Sequence, residues 1–207
     1  MYRRLYRAFG PQGWWPGDTP FEIAVGAILT QNTNWRNVER AIDNLRRHGI
    51  LTPEGLCSAR IDRLSFLIRP SGYFNIKAKR LKNFMSFIFA NYGGKIEDLK
   101  GREAEVIRRE LLEVKGIGPE TADSIMLYAL DYPVFVVDAY TRRILKRHYI
   151  IDEGFSYDDI QELFHNNINR DVRLYNEFHA LFVKLGKEYC RKKPICDGCP
   201  LMDVRHE

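Results

Sequence analysis

Leu111-Leu112-Glu113-Val114-Lys115-Gly116-Ile117-Gly118-Pro119-Glu120-Thr121-Ala122-Asp123 is the stretch that organises this chain. One apolar helical run ends in it, two glycines bracket a single isoleucine, and a second helical run opens. Gly116 and Gly118 are expected to take backbone angles that a side chain resists, so the chain turns tightly. Pro119 suits a first helical position. Such a turn presents backbone N–H groups at a helix start, which accept a phosphate whatever base it carries. The same residues would equally make a plain turn between two core helices.

The flanking sequence bears on that choice. Eighteen residues after Glu120, the apolar run Val134-Phe135-Val136-Val137 delivers Asp138, and the basic segment Thr141-Arg142-Arg143 follows. A carboxylate placed directly after four apolar residues is a helix N-cap, a placed acid, or both. Elsewhere, apolar residues recur at spacings of three and four. They do so at Phe21, Ala24, Val25, Ile28 and Leu29, at Val38, Ala41, Ile42 and Leu45, and at Leu81, Phe84, Met85 and Ile88. The same period returns at Val106, Ile107, Leu111 and Leu112, and at Ala122, Ile125, Met126 and Ala129. Breaks fall at Pro53, at Pro70-Ser71-Gly72 and at Gly93-Gly94. This is helical periodicity, and Val134–Val137 is too isolated to found a sheet. The reading is an all-α chain of nine or ten short helices.

A chain of 207 residues holds one domain or two small ones, with enough apolar content for its own core. The net charge of +5 favours a polyanionic partner, though many ordinary enzymes are as basic. No run of 18 apolar residues occurs, which argues against a transmembrane helix and a membrane partner. Met1-Tyr2-Arg3-Arg4 is not followed by an apolar segment, so no signal peptide is expected and the protein is read as cytoplasmic.

Val114-Lys115-Gly116-Ile117-Gly118 followed by Val136-Val137-Asp138 resembles the helix-hairpin-helix and aspartate signature of the endonuclease III superfamily of DNA glycosylases. The resemblance runs from about Phe21 to Pro200. It includes Leu29-Thr30-Gln31-Asn32-Thr33 and Gly72-Tyr73-Phe74-Asn75-Ile76-Lys77-Ala78. It implies two helical domains with the active site in the cleft between them. One, residues 20–132, is a six-helix barrel carrying the hairpin at about 111–124. The other is a bundle of residues 1–19 and 133–207, which includes the cysteine loop 190–205. The implied partner is double-stranded DNA with a damaged base, bound by a monomer. Lys115, Gly116 and Gly118 hold the backbone, and the damaged nucleotide flips into a pocket where its glycosidic bond is cut. Asp138 stabilises charge developing on the sugar or orients a water. Gln31 and Tyr73 fill the gap left by the flipped base. From the residues alone, Gln31 is also a polar helix C-cap and Tyr73 ordinary loop packing. The rival of another class is a non-catalytic DNA-binding module, against which Asp138 speaks.

Members of that superfamily that also nick the strand carry a lysine just after the hairpin, which forms a Schiff base with the sugar. Here that position is Glu120, which also reads as an ordinary solvated first-turn acid. The expected enzyme is therefore monofunctional, since Lys115 precedes the hairpin and points elsewhere. Trp14-Trp15-Pro16, Leu29–Thr33, Arg69-Pro70-Ser71-Gly72 and Glu120 together resemble the bacterial 3-methyladenine DNA glycosylases. The resemblance implies a base pocket of Trp14, Trp15, Pro16 and Trp35 with Glu120. Indoles suit a cationic alkylated purine, which is both a good stacking partner and a good leaving group. Trp14 and Trp15 would also serve as a staple of the N-terminus to the core. The alternative substrates are mismatched thymine or uracil, or oxidised pyrimidines.

Cys190, Cys196 and Cys199 crowd a basic loop with Arg191, Lys192 and Lys193. Clustered cysteines in an intracellular chain point to metal more than to disulfides. The spacing resembles the superfamily's [4Fe-4S] loop, with three of its four cysteines present and Arg205 at the fourth position. Three outcomes stand open: His206 as fourth ligand, an incomplete cluster or different metal, or a loop without metal. Arg191 and Lys192 are expected to contact phosphate in each case. Cys57 is expected to be a small buried residue.

Overall fold

The structure is a computed structural model that describes residues 1–14 and 17–204. Among the described residues it is all helical, with no strand, as the periodicity requires. The chain divides into two compact units, Pro16–Tyr132 and Met1–Trp15 with Pro133–Glu207.

The central unit holds seven α-helices among the described residues. Its helices are α2 (Pro20–Thr30), α3 (Trp35–Arg47), α4 (Pro53–Ser58), α5 (Ile61–Leu67), α6 (Phe74–Tyr92), α7 (Ala104–Glu113) and α8 (Pro119–Ser124). Helices α4 and α5 are six and seven residues long, too short to show a period, and they carry the structure past the nine or ten helices expected. Short 3₁₀ turns at Arg69–Ser71 and Ile96–Leu99 link the others. Helix α8 continues into a wider π turn at Ile125–Ala129, which is buried throughout. Helix α2 is apolar nearly all round, with Phe21, Ala24, Val25, Ala27, Ile28 and Leu29 buried. A helix of that pattern belongs inside a core rather than on its surface. Accordingly it packs against α3, α6, α8 and the π turn. Side-chain caps start the helices: Thr19 accepts from the Glu22 N–H, Asn34 from Asn37 and Thr52 from Gly55.

The unit formed by the chain ends holds α1 (Tyr2–Phe9), α9 (Ala139–Arg147), α10 (Tyr157–Asn167) and α11 (Val172–Glu188). Its core is aromatic. Phe135 stacks on Phe164 at 3.6 Å, and Phe178 stacks on Phe182 at 4.6 Å. Tyr2 of α1 meets Phe178 edge-on at 5.3 Å. Helices α9 and α11 approach at Gly186, where a Cβ would fall 2.2 Å from the Tyr140 ring.

Val134–Val137 is extended and buried, yet it joins no sheet. Buried peptide groups need partners, and α10 provides them. The Phe135 N–H donates to His165 Nε2 at 3.0 Å, and Gln161 Nε2 donates to the Phe135 carbonyl at 2.7 Å. The Val137 N–H donates to the Tyr157 hydroxyl at 3.3 Å. These side chains fix the segment that ends at Asp138.

Candidate active site

Asp138 is the N-cap of α9. Its Oδ1 accepts the Thr141 N–H at 2.7 Å. Its Oδ2 lies 3.5 Å from His179 Nε2, and the Asp138 side chain is 12% exposed. Burial pushes the carboxyl up, but His179 and the Thr141 hydrogen bond outweigh it, and Asp138 sits below the usual carboxylate range. It is thus an anion at neutral pH, held at the end of a rigid segment. Trp14, half-buried, stacks on His179 with ring centroids 5.5 Å apart and planes 18° apart. The structure therefore brings Trp14 to the imidazole that faces Asp138.

In the central unit, the hairpin turns Val114 and Ile117 into the core and leaves Lys115, Gly118, Pro119 and Glu120 exposed. Asp123 is fully buried and ties α8 to α7 through Arg108, whose Nε donates to Oδ1 at 2.8 Å. Gly116 has φ +101°, the left-handed region in which glycine alone is at ease. Gly118 differs from expectation. Its φ is −102° and its ψ 178°, ordinary extended backbone, so no angle there requires a glycine. What sets Gly118 apart is space, because a Cβ would meet nothing within 4 Å.

Gln31 ends α2 and ties the hairpin. Its Nε2 donates to the Gly116 carbonyl at 3.1 Å and to Thr121 Oγ1 at 2.8 Å, and Arg80 donates to its Oε1. Gln31 stands at the C-cap position of α2, and its side-chain amide is engaged by the hairpin, Thr121 and Arg80. Tyr73 is 67% exposed at the N-cap of α6, with a left-handed φ of +46°. A bulky residue held in that region is strained, and such strain clusters at binding sites. Trp35 opens α3 and donates from Nε1 to Glu39 at 2.8 Å. Trp15 and Pro16, expected beside Trp14, lie outside the described residues.

Two further groups escaped the sequence reading. Lys77 is 1% exposed, and its Nζ donates to the carbonyls of Leu29 at 2.8 Å and Ser71 at 2.6 Å. It links the segments that carry Gln31 and Tyr73, and burial, with Arg80 adding, pushes its pKa down to about 8. Its signal was positional, since Lys77 falls four residues before Leu81 on the apolar face of α6. His179 likewise sits in α11 among Phe178, Ala180, Leu181 and Phe182, where a titratable ring is out of place unless it has a partner.

The cysteine loop is pinned by arginines of α9. Arg143 Nε donates to the Cys190 carbonyl at 2.7 Å, and Arg147 Nη2 donates to the Lys192 carbonyl at 2.9 Å. Arg147 Nη1 also lies 3.3 Å from Cys190 Sγ. Cys190 is buried, Cys196 exposed and Cys199 half-buried, with the Cys199 thiol pushed up chiefly by burial. No three His, Cys, Asp or Glu side chains among the described residues are gathered to hold a metal. Arg205 and His206 lie outside those residues. The described part of the loop thus offers three sulfurs toward a four-ligand cluster. Arg191 and Lys192 are exposed, as phosphate contacts need to be. Cys57 is exposed rather than buried, because α4 turns Leu56 inward and its neighbour outward.

Residues 25–170 match the HhH-GPD superfamily of base excision DNA repair proteins. This chain belongs to that superfamily. A Methanocaldococcus jannaschii protein that carries a provisional DNA repair glycosylase name is 49% identical over 204 residues, 98% of this chain and 93% of its own. A thymine-DNA glycosylase of Aeropyrum pernix is 31% identical over 99% of this chain and 92% of its own. Among solved structures, an H. pylori 3-methyladenine DNA glycosylase bound to 1,N6-ethenoadenine superposes with a TM-score of 0.77. The two are 30% identical, and the match covers 89% of this chain and 92% of that one. The protein is a DNA repair glycosylase of the HhH-GPD superfamily, with the all-helical fold its sequence implied.

Proposed function

We propose that this glycosylase excises alkylated purines from double-stranded DNA and leaves an abasic site. The observation that carries the reading is Asp138, an ionised carboxylate that accepts the Thr141 N–H at one oxygen and faces His179 Nε2 at the other. As the bond from C1′ to the base breaks, its electron pair leaves with the base and positive charge grows on the sugar. A fixed anion beside the sugar stabilises that charge more than it stabilises the neutral sugar of the ground state. Water then adds to C1′. An alkylated purine departs readily because it is already cationic, so the pocket needs stacking surface more than an acid. Trp14, half-buried beside the Asp138 partner, supports that assignment, as does the 30% identity to the 3-methyladenine glycosylase. The thymine-DNA glycosylase relative, at 31%, favours mismatched thymine or uracil as a second reading.

The deciding experiment offers methylated duplex DNA beside duplexes carrying a T·G or U·G mismatch, with released bases identified by chromatography. Free 3-methyladenine or 7-methylguanine is the expected product. Release of pyrimidines alone would overturn the purine reading and establish the second. Exposed Glu120 stands where an imine-forming lysine would, and a carboxylate forms no imine. Strand breaks should therefore appear only after heat or alkali, and a borohydride-trapped enzyme–DNA adduct would contradict this. Absorbance near ~400 nm and the iron content of the purified protein decide whether the cysteine loop carries a cluster: a broad band with stoichiometric iron establishes one, and their absence establishes a loop without metal.

A further inference from the structure

We propose that His179 is the positioning residue of the glycosylase reaction, fixing the Asp138 carboxylate in the plane and charge state that face the sugar. The inference rests on Asp138 being the reacting carboxylate. A carboxylate held by one donor can still swing about its Cβ–Cγ bond. Here the Thr141 N–H holds Oδ1 at 2.7 Å while His179 Nε2 faces Oδ2 at 3.5 Å. A hydrogen bond on one oxygen and a ring nitrogen facing the other restrict that rotation. The second contact is at ion-pair distance, and catalytic contacts of this kind tighten to hydrogen bonds when substrate binds.

His179 is itself held. Its ring is 3% exposed, with Trp14 stacked on it and Phe135 edge-on at 6.4 Å. Neighbouring charged groups have other partners. On α9, Arg142 donates to the Phe155 carbonyl and Arg143 to the carbonyls of Cys190 and Gly186. On α10, His165 Nε2 and the Tyr157 hydroxyl receive the N–H groups of Phe135 and Val137. On α11, Glu177 accepts the N–H of Gln12. His179 is thus the titratable group that acts on Asp138 among the described residues. Burial pushes a carboxyl up toward protonation, and a protonated Asp138 cannot steady a sugar cation.

Two variants test this. His179→Phe keeps a ring against Trp14 and Phe135 but removes the donor, while His179→Gln keeps a donor of similar reach. In single-turnover base release, His179→Phe is expected to move the acid limb of the pH–rate profile upward by about one unit and to slow the neutral rate about tenfold. Its affinity for duplex DNA carrying an abasic analogue should stay within about twofold, since DNA contacts are untouched. His179→Gln should recover most of the rate. Carbon-13 NMR of the Asp138 carboxyl, assigned with Asp138→Asn, should show the same upward move in His179→Phe. An acid limb and a carboxyl titration both unmoved in that variant would overturn the proposal. If the wild-type protein releases no base from any duplex, the functional reading fails, and the NMR titration still decides the role of His179.

Discussion

Asp138→Asn is expected to cut base release by about 10³-fold or more while leaving affinity for abasic-analogue DNA within about twofold. The substitution isolates charge from structure. Asp138 caps α9, and asparagine caps a helix as well as aspartate does, so the Thr141 N–H keeps its acceptor. The side chain keeps its size at a position 12% exposed, so packing is preserved. What disappears is a full negative charge in a place where solvent screens it poorly. Alanine would be a less informative change, because it also removes a cap worth about 1 kcal/mol. The measurements are single-turnover base release and equilibrium binding. Unchanged release by the asparagine variant would remove Asp138 from the mechanism and revive the non-catalytic binding module. The wild-type pH profile carries the same logic. Asp138 sits below the ordinary carboxylate range, so it stays ionised above its unfolded value. Its contribution to stability and rate is complete there and is lost as pH falls through the lower, folded value. Base release should therefore stay flat from neutrality down to about pH 5.

How much of this was legible in the sequence depends on how far apart the interacting residues are. Helices were legible because their signals repeat every three or four residues, and the cap at Asp138 lies within three residues of what it binds. The hairpin was legible for the same reason, and Asp138 stood out as a charge ending an apolar run. The partnership of Asp138 with His179 was not, because 41 residues separate them and only the packing of α11 against α9 brings them together. Nor was the tie from Gln31 and Arg80 to the hairpin, which spans 85 residues from Gln31 to Gly116. Gly118 shows the opposite error. Paired glycines suggest paired unusual angles, yet Gly116 alone takes the left-handed turn, and Gly118 is extended backbone with open space where a Cβ would stand.

That distinction makes the two glycines separable by experiment. Gly116→Ala should destabilise the fold, with strain of about 1–2 kcal/mol from a left-handed backbone alone. Space adds to the strain, since the new Cβ would lie 2.4 Å from Arg80 Cγ, part of the side-chain stem rather than its mobile end. Arg80 must then move, and it donates to the Gln31 oxygen whose amide holds the Gly116 carbonyl and Thr121. One methyl group thus loosens the whole tie between the end of α2 and the hairpin. The expected result is a melting temperature lower by about 4–8 °C together with DNA affinity lower by about tenfold or more. Gly118→Ala should behave otherwise. Its backbone accepts alanine and its Cβ meets open space, so the melting temperature should stay within about 1–2 °C. Yet if the start of α8 receives a phosphate, that methyl group stands where the phosphate oxygens approach, and DNA affinity should fall without loss of stability. Equal effects of the two substitutions on melting temperature would refute the division of labour drawn from their backbone angles. Undiminished affinity in Gly118→Ala would place the phosphate contact elsewhere on the protein.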